Sequence, residues 1–148
     1  MRGLAHARTR NSADAASAPQ FSGARRLPLD AELPPGAKPL LVCQAAVFHL
    51  NRPMVYNTVF NDETIETIAK GRSPEQVGAE LRRLGVTHIY VDWFEVDRYR
   101  SRGNYGFTPF VQPEVFARLV EAKVLKLPRR MGLRQELYEL EPPRSVSK

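Results

Sequence analysis

The apolar positions fall into short runs with two different periods. "LPPG", residues 33–36, is a turn signal, and behind it Leu40, Leu41, Val42 and Cys43 are continuous. An unbroken apolar run of this length predicts a strand buried on both faces. "AAVFHL" follows and predicts a brief helix. "PMVYNTVF", residues 53–60, is rich in β-branched and aromatic residues behind Pro53, and predicts a second strand. "NDETIETIAKG" opens on Asn and Asp, places Ile65 and Ile68 on one face and stops at Gly71, which predicts a short helix. "SPEQVGAELRRLG" carries Ser73 at an N-cap, Pro74 in the first turn and Gln76 three residues on, a capping box. Val77, Leu81 and Leu84 then recur on a single stripe.

"VTHIYVDW", residues 86–93, presents no strongly polar face and predicts a central strand. "PEVFARLVEAKVLK" predicts a helix with Val115, Phe116, Leu119, Val120 and Val124 inward. "QELYELE", residues 135–141, alternates and predicts a last strand at the sheet edge. Strands interleaved with helices define an α/β chain. The expectation is a small Rossmann-like, three-layer sheet of three or four mostly parallel strands over residues 33–141. Residues 142–148 form a tail. Residues 1–32 form a leader, poor in periodic apolar positions and rich in Ala, Ser and Arg to about residue 27. That composition fits a transit peptide, a flexible leader or an upstream linker, and a disordered leader is expected. It lacks the apolar stretch of a secretory signal.

Charge changes this picture in one place. The net charge is +6, but residues 31–97 carry six basic and nine acidic groups, while residues 98–134 carry nine basic and two acidic ones. The basic block opens with "RYRSRGNYGF", residues 98–107, directly behind the central strand and its acids Asp92, Glu95 and Asp97. In open α/β sheets ligands bind at that strand end. Three uses of Asp92, Glu95, Arg98, Arg100, Arg102 and Tyr105 follow. They form a loop latch, because guanidinium groups pair with carboxylates and stack on tyrosine; or an anion or sugar site; or a single-strand nucleic-acid grip. The acidic middle of the chain disfavours nucleic acid, and no established nucleic-acid motif accompanies the block. The stretch is expected to begin helically, so that Arg98 and Arg102 share a face and at least one pairs with Asp92 or Glu95.

Other chemistry finds little footing. Neither G-x-G-x-x-G nor G-x-x-x-x-G-K-[ST] occurs, which disfavours NAD and nucleoside triphosphates, so no cofactor is expected. Cys43, the single cysteine, reads as a small core residue, and His88 as a hydrogen-bonded strand residue. No metal-ligand spacing is present, so no metal is expected. No apolar run reaches the about 18 residues of a membrane span.

"LLVCQAAVFHLNRPMVYNTVFND", "LGVTHIYVDWFEVDRYRS" and "GNYGFTPFVQPEVFARLV" together resemble the soluble C-terminal domain of bacterial membrane glycosyltransferases. Those enzymes use polyprenyl-phosphate sugars and are related to the dolichyl-phosphate-mannose protein mannosyltransferases. The resemblance spans residues 33–141. It implies a binding or interaction module, accessory to a membrane glycosyltransferase and beside an anionic lipid-sugar, on the extracytoplasmic side. The catalytic acid of that class lies between membrane spans, so the resemblance implies no catalytic residue here. One departure stands after the first strand, where such domains carry Gly or an acid and this chain has Cys43-Gln44.

Overall fold

A computed structural model describes residues 29–44, 47, 50–58 and 62–143. The bulk of the expected leader and the end of the tail lie outside these residues, as does most of the brief helix expected over "AAVFHL". The described chain is α1 (Leu29–Glu32), β1 (Pro39–Val42), α2 (Thr64–Ala69), α3 (Pro74–Arg83), β2 (His88–Asp92), α4 (Trp93–Arg100), α5 (Pro113–Glu121), β3 (Arg129–Arg130) and β4 (Gln135–Glu139). It is an α/β chain with one open four-stranded sheet in the order β1-β2-β4-β3.

Only β1 and β2 are parallel; β2–β4 and β4–β3 are antiparallel. This corrects the expectation of a mostly parallel sheet. Its cause lies in residues 126–134. Behind α5 the chain does rise alongside the sheet, beginning at the Leu125–Leu140 bridge. It then turns at Met131–Arg134 and descends as β4, inserting between β2 and the rising segment. The C-terminal strand is therefore interior, and the two-residue β3 takes the edge. The expected second strand over 53–60 shrinks to one parallel bridge, Leu40–Val55, closed by Leu41 N–H donating to Val55 O at 2.8 Å and Val55 N–H to Pro39 O at 2.9 Å. Residues 59 and 60 lie outside the described part.

The elements form for the reasons their sequences give. Ser73 Oγ accepts from Gln76 N–H while Gln76 Oε1 accepts from Ser73 N–H, so both halves of the capping box are made. Val77 and Leu81 are buried on one stripe of α3. β2 is buried along its whole length, as a central strand should be. α5 turns Phe116 and Leu119 inward but ends at Glu121, and Lys123 (φ 59) bends the chain toward the sheet.

Two cores flank the sheet. Leu40, Val42, Ile89, Val91 and Tyr138 meet α2, α3, α4 and α5 on one face. Trp93, Phe116 and Tyr138 form an aromatic column there, edge-on at 5.7 Å and then stacked at 5.2 Å. The Trp93 Nε1–H and Tyr138 O–H both donate to Glu136 Oε2 at 2.8 Å, so the buried rings keep their polar tips satisfied. Leu41, Tyr90 and Leu137 point to the other face. There they meet α1 through Leu29 and Leu33, with Ala37, Met54 and Met131. Among the described residues that face carries a single helical turn and connecting chain, with Val47 and Leu50 packed against it.

Candidate functional site

α4 starts where β2 stops. Asp92 is the N-cap and its Oδ1 accepts from Glu95 N–H at 3.1 Å. Its other oxygen accepts from Gln135 Nε2 at 3.0 Å and Gln44 Nε2 at 3.3 Å. The side chain is buried, and three donors from three parts of the chain converge on it. Asp92 therefore fastens the strand end.

The arginine stretch begins helically, as expected, with Arg98 to Arg100 in the last turn of α4. Arg98 pairs with Glu95 through Nη2 and Nε, the latter at 3.0 Å, and its guanidinium lies 4.4 Å from the centre of the Tyr99 ring. Arg102 does not share its face, because α4 ends before it. Arg100 turns toward the following loop. Its Nη2 donates to Thr108 O and, at 2.7 Å, to Val111 O, with the Phe107 ring centre 5.7 Å away. Its Nε–H is enclosed and has no acceptor.

Residues 101–112 thus form a strap. Gly103 and Gly106 take positive φ (87° and 84°), where a side chain would be strained. Gly106 N–H donates to Tyr99 O at 3.0 Å, and Thr108 Oγ1 donates to Glu66 Oε2 on α2. Of the six residues singled out in the sequence, Asp92, Glu95, Arg98 and Arg100 are engaged with the protein itself. Arg102 and Tyr105 stand on the strap; Arg102 is exposed and the Tyr105 ring is 79% exposed.

Cys43 sits just past β1 with φ 56, in the left-handed region that glycine prefers. Burial pushes the thiol up to about 12, with Glu63, Glu95 and Asp92 adding to the effect, so it stays protonated at neutral pH. His88 is buried and held neutral by desolvation, with Nδ1 2.8 Å from Thr87 Oγ1.

The strap encloses a group that sequence reasoning did not single out. Between α2 and residues 105–108 runs a cleft of about 310 Å3, lined by Asp62, Glu63, Glu66, Tyr105, Gly106, Phe107 and Thr108. Glu63 is buried at 4% exposure, and burial pushes its carboxyl up to about 7 against the opposing hydrogen bond from Asn57. The signal available in the sequence was only the acid at the start of "NDETIETIAKG"; the loop that shares the cleft with it lies forty residues further on. Among the described residues no cluster of His, Cys, Asp and Glu forms a metal site, and no helix is long and apolar enough to cross a membrane.

Comparison with family models, with curated proteins and with solved structures finds no match for the chain.

Proposed function

We propose that this chain is a non-catalytic binding module accessory to a membrane glycosyltransferase, presenting the strap of residues 101–112 to its partner or to the anionic lipid-sugar. The observation that supports this is how the arginine segment is used. Arg98 and Arg100 hold the protein's own carboxylate and carbonyls, which fixes the strap and leaves Arg102 and Tyr105 at its surface. A cation and an exposed aromatic ring on one strap suit a ligand that carries both a phosphate and a sugar face. The Rossmann-like part of the reading rests on the one parallel unit, β1–α2–α3–β2, whose strand ends carry this region.

The test is co-flotation of the purified chain with vesicles carrying a polyprenyl-phosphate sugar, against vesicles of the same lipids without it. Selective flotation without release or transfer of sugar is the expected result, weakened in Arg102→Ala. Turnover by the chain alone overturns the non-catalytic reading. The other reading, a stand-alone binder of a phosphate ligand or of single-stranded nucleic acid, takes over if the chain ignores the lipid-sugar and binds an oligonucleotide with steep salt dependence.

A further inference from the structure

Among the described residues two carboxylates are buried, Asp92 and Glu63, and they differ in one respect. Asp92 receives three donors. Glu63 Oε2 receives Asn57 Nδ2 at 3.0 Å, while Glu63 Oε1 is enclosed and receives none. Asn57 Oδ1 is enclosed and receives none either. Its amide is correctly oriented, because Nδ2 donates both to Glu63 and, at 3.3 Å, to Thr58 O. Glu63 Oε1 and Asn57 Oδ1 are each a buried acceptor without a donor, which costs stability unless a donor arrives.

Glu63 is itself a wall of the cleft under the strap. Asp62 and Glu66 line it too, and among the described residues no Lys, Arg or His does. Lys70 reaches Glu66 Oε1 at 2.8 Å from α2, with its own side chain 69% exposed. Tyr105 borders the opening, and Phe107 lines the cleft beside it.

We infer that this cleft binds a protonated primary amine, whose ammonium supplies the donor that the Glu63 carboxylate lacks and whose alkyl arm lies against Tyr105. An ammonium has three donors and no acceptor, which matches a site built of acceptors. Its charge is favoured by the acidic lining and by an aromatic face. An anion meets three carboxylates. A metal ion needs a convergent set of ligands, which the described residues do not offer. A sugar hydroxyl brings an acceptor with every donor and leaves the charge of the lining unanswered. The raised pKa agrees: burial pushes the Glu63 carboxyl up to about 7, with Glu66 adding to the rise, and an arriving cation favours the ionised form. The inference does not rest on the glycosyltransferase reading.

A free diamine and a lysine side chain offer the same ammonium, and the experiment separates them. The whole chain is titrated by calorimetry at pH 8 and moderate salt with 1,4-diaminobutane, with an Nα-acetyl-lysine amide, and with 1-butanol and glucose as neutral probes. Saturable binding of one amine per chain, with the neutral probes silent, is expected. Binding of the diamine alone identifies a free amine as the ligand. Binding of the lysine amide as well identifies a lysine side chain. Glu63→Gln should weaken the amine by about tenfold or more, as for a hydrogen bond to a charged group. Tyr105→Ala, at a position 79% exposed, should weaken it by roughly two- to fivefold, with the denaturation midpoint of the variant measured alongside. The inference is overturned if neither amine saturates at millimolar concentration, if 1-butanol or glucose binds as well, or if Tyr105→Ala binds the amine with unchanged affinity.

Discussion

Arg98 and Arg100 lie two residues apart and contribute very differently. Arg98 makes an exposed pair with Glu95 three residues back, its side chain 45% exposed, and such pairs contribute about 0–1 kcal/mol. Arg100 supplies the donor to two carbonyls of a loop eight and eleven residues on, in a partly buried setting. Removing it leaves both carbonyls unpaired, at a cost of about 1–3 kcal/mol each before relaxation. Urea unfolding should therefore show Arg100→Ala destabilised by about 2–4 kcal/mol and Arg98→Ala by less than about 1 kcal/mol. Equal losses would mean that the strap is not held by Arg100. Glu63 makes a second prediction, through pH. Its carboxyl stands near 7 in the folded chain against an ordinary 4.5. Below 4.5 it is protonated in both states. Between 4.5 and 7 the folded state keeps a proton that the unfolded state releases, so stability falls as pH rises across that window, by on the order of 3 kcal/mol. Glu63→Gln should remove this slope, making the variant more stable than its parent at pH 8 and nearly equal to it at pH 4. Denaturation midpoints at the two pH values check it. The charged segment and its pairing with Glu95 were legible in the sequence, because three residues along a helix is a local distance. Glu63 was not, because its burial and its orphan oxygen arise from tertiary contacts, while a helix-opening acid reads as ordinary surface charge.

At the scale of elements, what was legible is what local rules decide. Ser73, Pro74 and Gln76 fix the start of α3 within four residues, and Val77 and Leu81 define its buried stripe. Leu81 is fully buried, so Leu81→Ala should cost about 2–5 kcal/mol, measured by denaturant unfolding. Ser73→Ala should cost about 1 kcal/mol, the worth of a cap. β2 was legible because a run without a polar face belongs in the middle of a sheet. The hairpin at 129–139 was not. Its rising arm, Arg129–Arg130, is exposed and charged, and carries no apolar alternation to announce a strand. It is held by backbone pairing with β4, which the residue pattern does not encode. The same gap misplaced β4. "QELYE" has the alternation of a half-buried strand, with Leu137 toward one core and Tyr138 toward the other, yet its neighbours are set by the hairpin turn. "PMVYNTVF" erred the other way. Its β propensity is high, but among its described residues only Val55 enters a bridge, beyond the edge of β1.

At the scale of the molecule, the described residues cover the two faces of the sheet unequally, and this sets where the fold opens first. The face toward α2, α3, α4 and α5 holds the larger core. The opposite face holds Leu41, Tyr90 and Leu137 under one helical turn, α1, whose apolar anchors are Leu29 and Leu33. So short a helix has no stability of its own and depends on what ties it down. The tie is Arg52. Its Nε donates to Asp30 Oδ1 at 2.8 Å, its Nη1 to Pro34 O at 3.1 Å and its Nη2 to Asp30 O at 3.2 Å, while Asp30 Oδ2 accepts from Asn51 N–H at 3.2 Å. Arg129 makes a second attachment from the edge strand, donating to Glu32 O at 3.1 Å and pairing with its carboxylate at 3.0 Å. The Arg52 side chain is only 13% exposed, so its contacts are shielded where those of Arg129, at 55%, are not. Local opening follows the weakest attachment, and the free energy of opening need not equal that of global unfolding. Arg52→Ala should therefore release α1 while β1 and β2 stay paired. Amide hydrogen exchange by NMR reads this directly. The Leu33 amide, which donates to Leu29 O, and the Ala37 amide, which donates to Pro34 O, should exchange about tenfold faster or more, the loss of one to two net hydrogen bonds. The amides of Ile89 and Val91 in β2 should keep their parental protection, and Arg129→Ala should move α1 less than Arg52→Ala does. If β2 lost protection in step with α1, the two cores would open as one unit, and the smaller face would be as integral to the fold as the larger.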